Sequence, residues 1–349
     1  MSRNARLQLI LTLAWIVFGG KAVAQDSFPL HVTNSIAHVL IAQGQDLLHA
    51  YLPDDDRVAE VFNSGLKRFT RTDSLTAAWL GLVSTNDIVG IKVFSEPGPI
   101  AGTRPAIVAA IVHGLLSAGL PPGHIIIWDK RLADLRHAGY TKLGRSLGVR
   151  VAGAADVGYD TATFYLPDSP VVGSLVWGDL EFGQKGEGIG KKSFVSKLVS
   201  QQMTKIISVA PLINQNEAGI CGHFYSLCLG SVDNTHRFES DPDRLASALP
   251  EIYAMPIIGD RVVLNVTDAL LAQYQGGPAG YLQYSTLLQQ IWFSHDPVAL
   301  DVLSLKELTR ERKTVDVPPM FTNFEIYTNA TFLQLGLSNP EFFQIDKDP

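Results

Sequence analysis

Apolar positions in this chain gather in short, dense runs separated by glycine, proline and polar clusters. Ile88 to Phe94 is almost continuously apolar and ends at Glu96, Pro97 and Gly98, which predicts a buried strand. Arg104 to Ala118 carries apolar residues at helical spacing. Thr103 stands at the N-cap position, Pro105 in the first turn and Gly119 just past the end, so a helix is expected. Ile125 to Trp128 reads as the next buried strand, with Asp129 at its end. Strand, helix and strand at this spacing predict a right-handed parallel crossover. The turn between the first strand and the helix aims a helix N-terminus at whatever occupies it.

The rest of the pattern extends this unit. Asn34 to Lys67 reads as mainly helical, broken at Pro53 to Asp56, and Thr76 to Val83 as a further short helix. A helix over Arg131 to Leu147, interrupted near Gly139, should lead to a third strand at Val149 to Ala152. From Tyr159 to Gly190 residues alternate while prolines and glycines recur, ending in the tract Gly183 to Gly190. A hairpin insertion over about 159–192, on the sheet edge, is expected there. Phe194 to Gln202 reads as a helix and Lys205 to Val209 as a strand ending at Ala210 and Pro211. Gly219 to Gly230 reads as partly helical, and Asp241 to Met255 as a helix capped by Asp241. Val262 to Val266 reads as a strand with Thr267 and Asp268 at its carboxyl end. Ile291 to Phe293 reads as a short strand, followed by a helix capped by Asp296 with Pro297 at its first position. No repeat or low-complexity linker intervenes. The expectation is one α/β domain over residues 25–349, with a mainly parallel, Rossmann-like sheet, helices on both faces and a β-hairpin insertion.

Composition narrows the function classes. Of 349 residues, 46% are hydrophobic and 18% charged, enough for a large core and against disorder. The formal charge of −6 and the absence of a basic stripe argue against nucleic acid as a partner. The first residues read as a secretory signal peptide: Arg3 and Arg6, an apolar stretch from Leu7 to Phe18, and a small-residue cleavage site at Ala22 to Ala24. Without Arg3, Arg6 and Lys21, 25 basic residues face 34 acidic ones, a balance of −9 that suits a soluble exported protein, periplasmic or extracellular. No arginine pair marks the leader, and no later stretch is long and apolar enough to span a bilayer. The two cysteines, Cys221 and Cys228, are open to a disulfide, to two buried thiols, or with His223 to a metal. An iron–sulfur cluster would need four ligands of the kind these two cysteines supply.

An ordered set of segments resembles the domain of unknown function 362 family. They are Asp87 to Lys92, Thr103 to Pro105 opening a helix, Ile207 to Pro211, Gly219 to Gly222 followed by Leu229 and Gly230, Thr267 and Asp268 followed by Gly277 and Pro278, His295 to Asp301, and Leu335 to Leu337. The resemblance covers about Val61 to Ile345 and implies an α/β fold, but no activity. Two departures stand out. A lysine and a histidine common in the family just beyond the position of Pro211 are replaced by Leu212 to Asn216. A Lys-Asn pair in the following glycine segment is replaced by Tyr225 to Cys228. A weaker similarity to the lactate racemase family rests on Thr103, Arg104 and Pro105 alone.

Several residues could carry chemistry. Lys92, Thr103 and Arg104 form an anion-holding candidate, because a helix start and a guanidinium both favour carboxylate or phosphate. Asn214 and Asn234 are further ligand-binding candidates. Asp129 and Asp268 each follow an apolar strand, on the edge where open α/β sheets bind ligands. His223, Asp233 and His236 could bind a divalent metal or act in acid–base chemistry. His295 sits at a strand-to-helix turn, and Asp301 reads as a structural brace for a helix start. No nucleophile elbow, Walker loop, full dinucleotide fingerprint or zincin motif is present, which disfavours the enzyme classes built on them, serine hydrolases included. The expectation is an enzyme acting on a small anionic metabolite at the carboxyl edge of the sheet. Its acid–base pair would be drawn from His223, His295, Asp129 and Asp268, with Lys92 and Arg104 holding the anion. The alternative is a non-catalytic binding protein for an anionic ligand or cofactor.

Overall fold

The computed structural model describes residues 36–167 and 191–348. The expected signal peptide at 1–24 and the tract Gly183 to Gly190 lie outside the described residues. Ile36 begins the unit that holds all the elements below. β1 (Ala37–Gln43), the short pair β2 (Leu48–His49) and β3 (Leu52–Pro53), α1 (Asp55–Thr70) and α2 (Leu75–Leu80) open it. β4 (Val89–Val93), α3 (Gly98–Ala101), α4 (Pro105–Ser117) and β5 (Ile125–Asp129) form the crossover. Then come α5 (Leu132–His137), α6 (Tyr140–Leu147), β6 (Arg150–Gly153), α7 (Ala154–Val157), β7 (Tyr159–Tyr165) and β8 (Ser193–Ser196). β9 (Lys205–Gln215), β10 (Gly219–Ile220), α8 (His223–Ser231), α9 (Pro242–Tyr253) and β11 (Val262–Gln273) follow. β12 (Ser285–Ser294), α10 (Pro297–Thr314), α11 (Glu325–Phe332) and β13 (Phe343–Asp348) close the unit.

The main sheet runs β13-β1-β12-β11-β9-β4-β5-β6. β6, β5, β4, β9 and β11 are parallel neighbours, whereas β12 is antiparallel to both β11 and β1. The fold is therefore α/β, with a mixed but mostly parallel sheet. Strand residues alternate between two cores. Val89, Ile91 and Val93 face one with α1, α2 and α4. Trp128, Ile206 and Trp292 face the other with α8, α9, α10 and α11. Burial on both faces explains why the central strands read as unbroken apolar runs.

The chain leaves β4 toward β5 and β6, then crosses back to place β9 on the other side of β4. Strand order reverses at that point, and ligands of open α/β sheets bind outside the carboxyl ends of the strands there.

Four expectations about elements are corrected. Ala37–Gln43 is a strand, not the start of a helix. Pairing with β12 and β13 on its two sides decides the conformation of a run too short to show its own period. Phe194 belongs to β8, which pairs with β7, and only Leu198–Gln202 turns helically. β11 extends to Gln273, so Asp268 lies within the strand, at a register irregularity against β9 that falls between Asp268 and Ala272. The hairpin of β7 and β8 forms its own two-stranded sheet, separate from the main sheet edge. Among the described residues no helix is long and apolar enough to cross a membrane.

Candidate functional site

Lys92 is the second-to-last residue of β4 and is fully buried. The alternation that turns Ile91 and Val93 toward α4 turns Lys92 toward α8. Its Nζ donates to Asp129 Oδ1 at 2.8 Å, to the Val93 carbonyl at 2.6 Å and to Ser226 Oγ at 3.0 Å. Gly230 of α8 lies so close that a Cβ there would stand 2.2 Å from Lys92 Cε. Burial pulls the lysine below its ordinary pKa range, against the opposing effect of the Asp129 carboxylate. Asp129, at the neighbouring strand end, accepts three more hydrogen bonds: from Lys130 N, Ser95 N and Ser95 Oγ, at 2.7–2.8 Å.

A crevice of about 260 Å³ opens above this pair. Phe94, Glu96 and Asp129 line it from the carboxyl ends of β4 and β5, and Tyr225, Ser226, Leu229 and Gly230 from α8. Lys130, Arg131, Asp134, His236 and Glu239 form the remainder. Burial raises the Glu96 pKa, with the Asp134 carboxylate adding to the effect. Burial also raises Asp134, which Arg131 partly offsets. Two carboxyl groups that are held reluctantly as anions would be relieved by an incoming positive charge.

α8 rests on a polar stripe of the sheet. Ser226 meets Lys92 on β4. His223 Nδ1 lies 2.8 Å from Ser208 Oγ on β9, and Nε2 lies 3.2 Å from Thr267 Oγ1 on β11. Burial pushes the His223 pKa down to about 3, so the ring is neutral. The N-terminus of α8 is closed by Asp301 of α10, which accepts from His223 N at 2.7 Å and Phe224 N at 3.1 Å. That places Asp301 in the bracing role expected of it. Gly222 permits this contact, since a Cβ there would lie 2.3 Å from Asp301 Oδ1.

The other candidates lie elsewhere. Arg104 and Asp268 form a second buried ion pair, Nη1 to Oδ1 at 2.6 Å, and Arg104 N donates to Asp268 Oδ2 at 2.8 Å. Arg104 Nε and Nη2 are also buried and meet no acceptor among the described residues. Thr103 is not the expected cap. Arg104 occupies the N-cap position, and the Thr103 hydroxyl accepts from Phe94 N and donates to the Val209 carbonyl, tying β4 to β9. Asn214 is buried in β9 with its Oδ1 unpartnered among the described residues. Asn234, at φ 50°, donates to the Lys192 carbonyl at 2.9 Å.

His295 is on the wrong edge. β12 runs antiparallel, so its end lies beside the start of β11, where His295 Nδ1 meets the Val263 carbonyl at 3.0 Å and the ring packs on Phe69. The metal candidates are likewise not gathered. His223 is sealed against the sheet, Asp233 Oδ1 accepts from Phe194 N at 2.6 Å, and His236 is exposed beside Glu239. No three His, Cys, Asp or Glu residues among those described are placed to hold a metal. Cys221 and Cys228 are separate buried thiols.

Sequence reading passed over Ser95, Glu96, Asp134 and Ser226. The first two were findable, because they follow β4 directly at the edge where ligands bind. No family model matches this chain, and no curated protein matches it.

Proposed function

We propose that this protein is an enzyme acting on a small polar metabolite that brings a positively charged amine into the crevice between the β4 and β5 strand ends and α8. The observation that carries this is the buried Lys92–Asp129 pair directly beneath the crevice. Such a pair is weak support for a fold, since apolar residues of equal volume would serve as well. A desolvated titratable pair at the strand-order reversal is instead what acid–base chemistry requires. Glu96 and Asp134 would receive the amine. Lys92 and Arg104 each already face a carboxylate, so the anion-holding role expected of them finds less support in this crevice. The segments that resemble the domain of unknown function 362 family contribute Lys92, Leu229 and Gly230 to it, whereas Tyr225 to Cys228 of α8 is one of the departures from that pattern.

A second reading keeps the anion. Arg104 presents one buried guanidinium edge without an acceptor among the described residues. Buried polar groups in that state call for a partner, and a carboxylate or phosphate fits the fork.

A thermal-shift panel of small amines and matched carboxylic acids separates the two readings. Amines should raise the Tm of the wild type, and Glu96→Gln/Asp134→Asn should weaken their binding at least tenfold, as expected for about 1.4 kcal/mol or more from charged hydrogen bonds. Stabilisation by acids alone would favour the Arg104 edge and reject the amine reading. We also infer export from the leader at 1–24. N-terminal sequencing of protein recovered outside the cytoplasm should begin at Gln25, and an intact Met1 would reject cleavage.

A further inference from the structure

Ser226 connects the buried pair to the crevice. It is 2% exposed, it lines the crevice wall, and Lys92 Nζ is the one hydrogen-bond partner its hydroxyl has among the described residues. Two arrangements of protons satisfy the three oxygens around that nitrogen. As an ammonium, Lys92 donates to all of them. As a neutral amine, it keeps two donations, to the Val93 carbonyl and to Asp129, and turns its lone pair toward Ser226, whose hydroxyl then donates. The second arrangement is that of a base holding a nucleophile.

We propose that Ser226 is a catalytic nucleophile with Lys92 as its base, and that the protein hydrolyses an ester or amide of an amine-bearing molecule. This rests on the crevice being the ligand site. A strand-to-helix elbow is one way to present a reactive serine. A buried amine beside the hydroxyl is another, and residues 134 positions apart leave no local motif.

The chemistry balances with water as the only co-reactant. Ser226 Oγ bonds to the acyl carbon as its proton passes to Lys92 Nζ and the carbonyl π pair moves onto oxygen. When that pair returns, the bond to the leaving oxygen or nitrogen breaks, and Lys92 gives the leaving group its proton. Water then attacks the serine ester, again losing a proton to Lys92, which returns it to Ser226 Oγ. The products are one carboxylic acid and one alcohol or amine. Asp129 is a positioning residue: it holds the amine in place, and its contacts with Ser95 and Lys130 N spread its charge. Burial, which lowers the lysine's proton affinity, favours the neutral form.

A small alkyl fluorophosphonate is the probe, since it phosphonylates an activated serine with loss of fluoride. Intact mass and peptide mapping of the wild type should show one adduct, on Ser226. Ser226→Ala should show none. In Lys92→Met/Asp129→Asn, which removes both charges together, the labelling rate should fall about 10²–10⁴-fold, the usual worth of a positioned base. The wild-type rate should rise with pH as Lys92 loses its proton. No adduct on folded wild type, or an adduct formed equally fast in the double variant, would overturn the proposal. Where circular dichroism shows that the double variant is unfolded, a wild-type labelling rate flat in pH overturns it instead. Amine stabilisation without labelling would sink the nucleophile but leave the crevice reading standing. Labelling without amine stabilisation would do the reverse.

Discussion

Replacing Arg104 by alanine is expected to lower the unfolding free energy by about 3–5 kcal/mol, the cost of leaving one member of a buried ion pair without its partner. Asp268 is fully buried. Without the guanidinium it keeps, among the described residues, only backbone donors, Arg104 N at 2.8 Å and Leu270 N at 3.3 Å. The loss would come from the carboxylate left behind more than from the missing contact. Removing both charges should therefore recover most of it. Arg104→Met/Asp268→Asn is expected to fall close to the wild type, and to gain from relieving Nε and Nη2 of the guanidinium, which meet no acceptor among the described residues. Denaturant unfolding of the two single variants and the double variant completes the cycle and gives the coupling directly. A loss below about 1 kcal/mol for Arg104→Ala would mean that water or an unseen group already satisfies Asp268, and the pair would no longer count as part of the frame.

The crossover was legible in the sequence because its signals are local. Two apolar runs, a proline in a first turn and a closing glycine at φ 95° need no knowledge of what lies opposite. What failed depends on partners far along the chain. β1 is a strand because β12 and β13 flank it. Thr103 bonds the Val209 carbonyl, 106 residues away, and not its own helix. His295 was placed on the carboxyl edge because strand direction is invisible in a run such as Ile291 to Phe293. Only the antiparallel ladder to β11 reveals that β12 ends at the opposite side of the sheet.

The site followed the same division. Lys92 lies next to the end of one apolar strand and Asp129 ends another, so their arrival at one edge was readable. That they would neutralise each other was not, because it depends on β4 and β5 being adjacent in register, with Lys92 opposite Trp128. Ser226 had no signal at all. It counts only because α8 is laid across the sheet by Asp301, 75 positions later, and because Gly230 lets the helix settle onto Lys92.

The same brace leads to the second large effect, which is one of pH. His223 is neutral in the fold, with its pKa moved from 6.5 to about 3, and Asp301 is moved from 3.8 to about 7. Burial causes both shifts, with opposite sign because the histidine is charged when protonated and the carboxyl when it is not. The histidine's contribution to stability is complete above pH 6.5 and lost as pH falls toward 3. The carboxyl's is complete below pH 3.8 and lost as pH rises toward 7. Each is on the order of 4–5 kcal/mol across its window. Between pH 3.8 and 6.5 the unfolded chain holds its proton on the imidazole and the folded one holds it on the carboxyl. The number bound is equal and the two slopes cancel. Removing either group should expose the other. His223→Gln, which can still bond Ser208 and Thr267, should lose stability relative to the wild type as pH rises from about 4 to 7. Asp301→Asn, which keeps one acceptor for His223 N, should lose it as pH falls from about 6.5 to 3. Urea unfolding at a series of pH values reads both. Two variants whose stability runs parallel to the wild type throughout would show that neither group is desolvated as its buried position at the start of α8 requires.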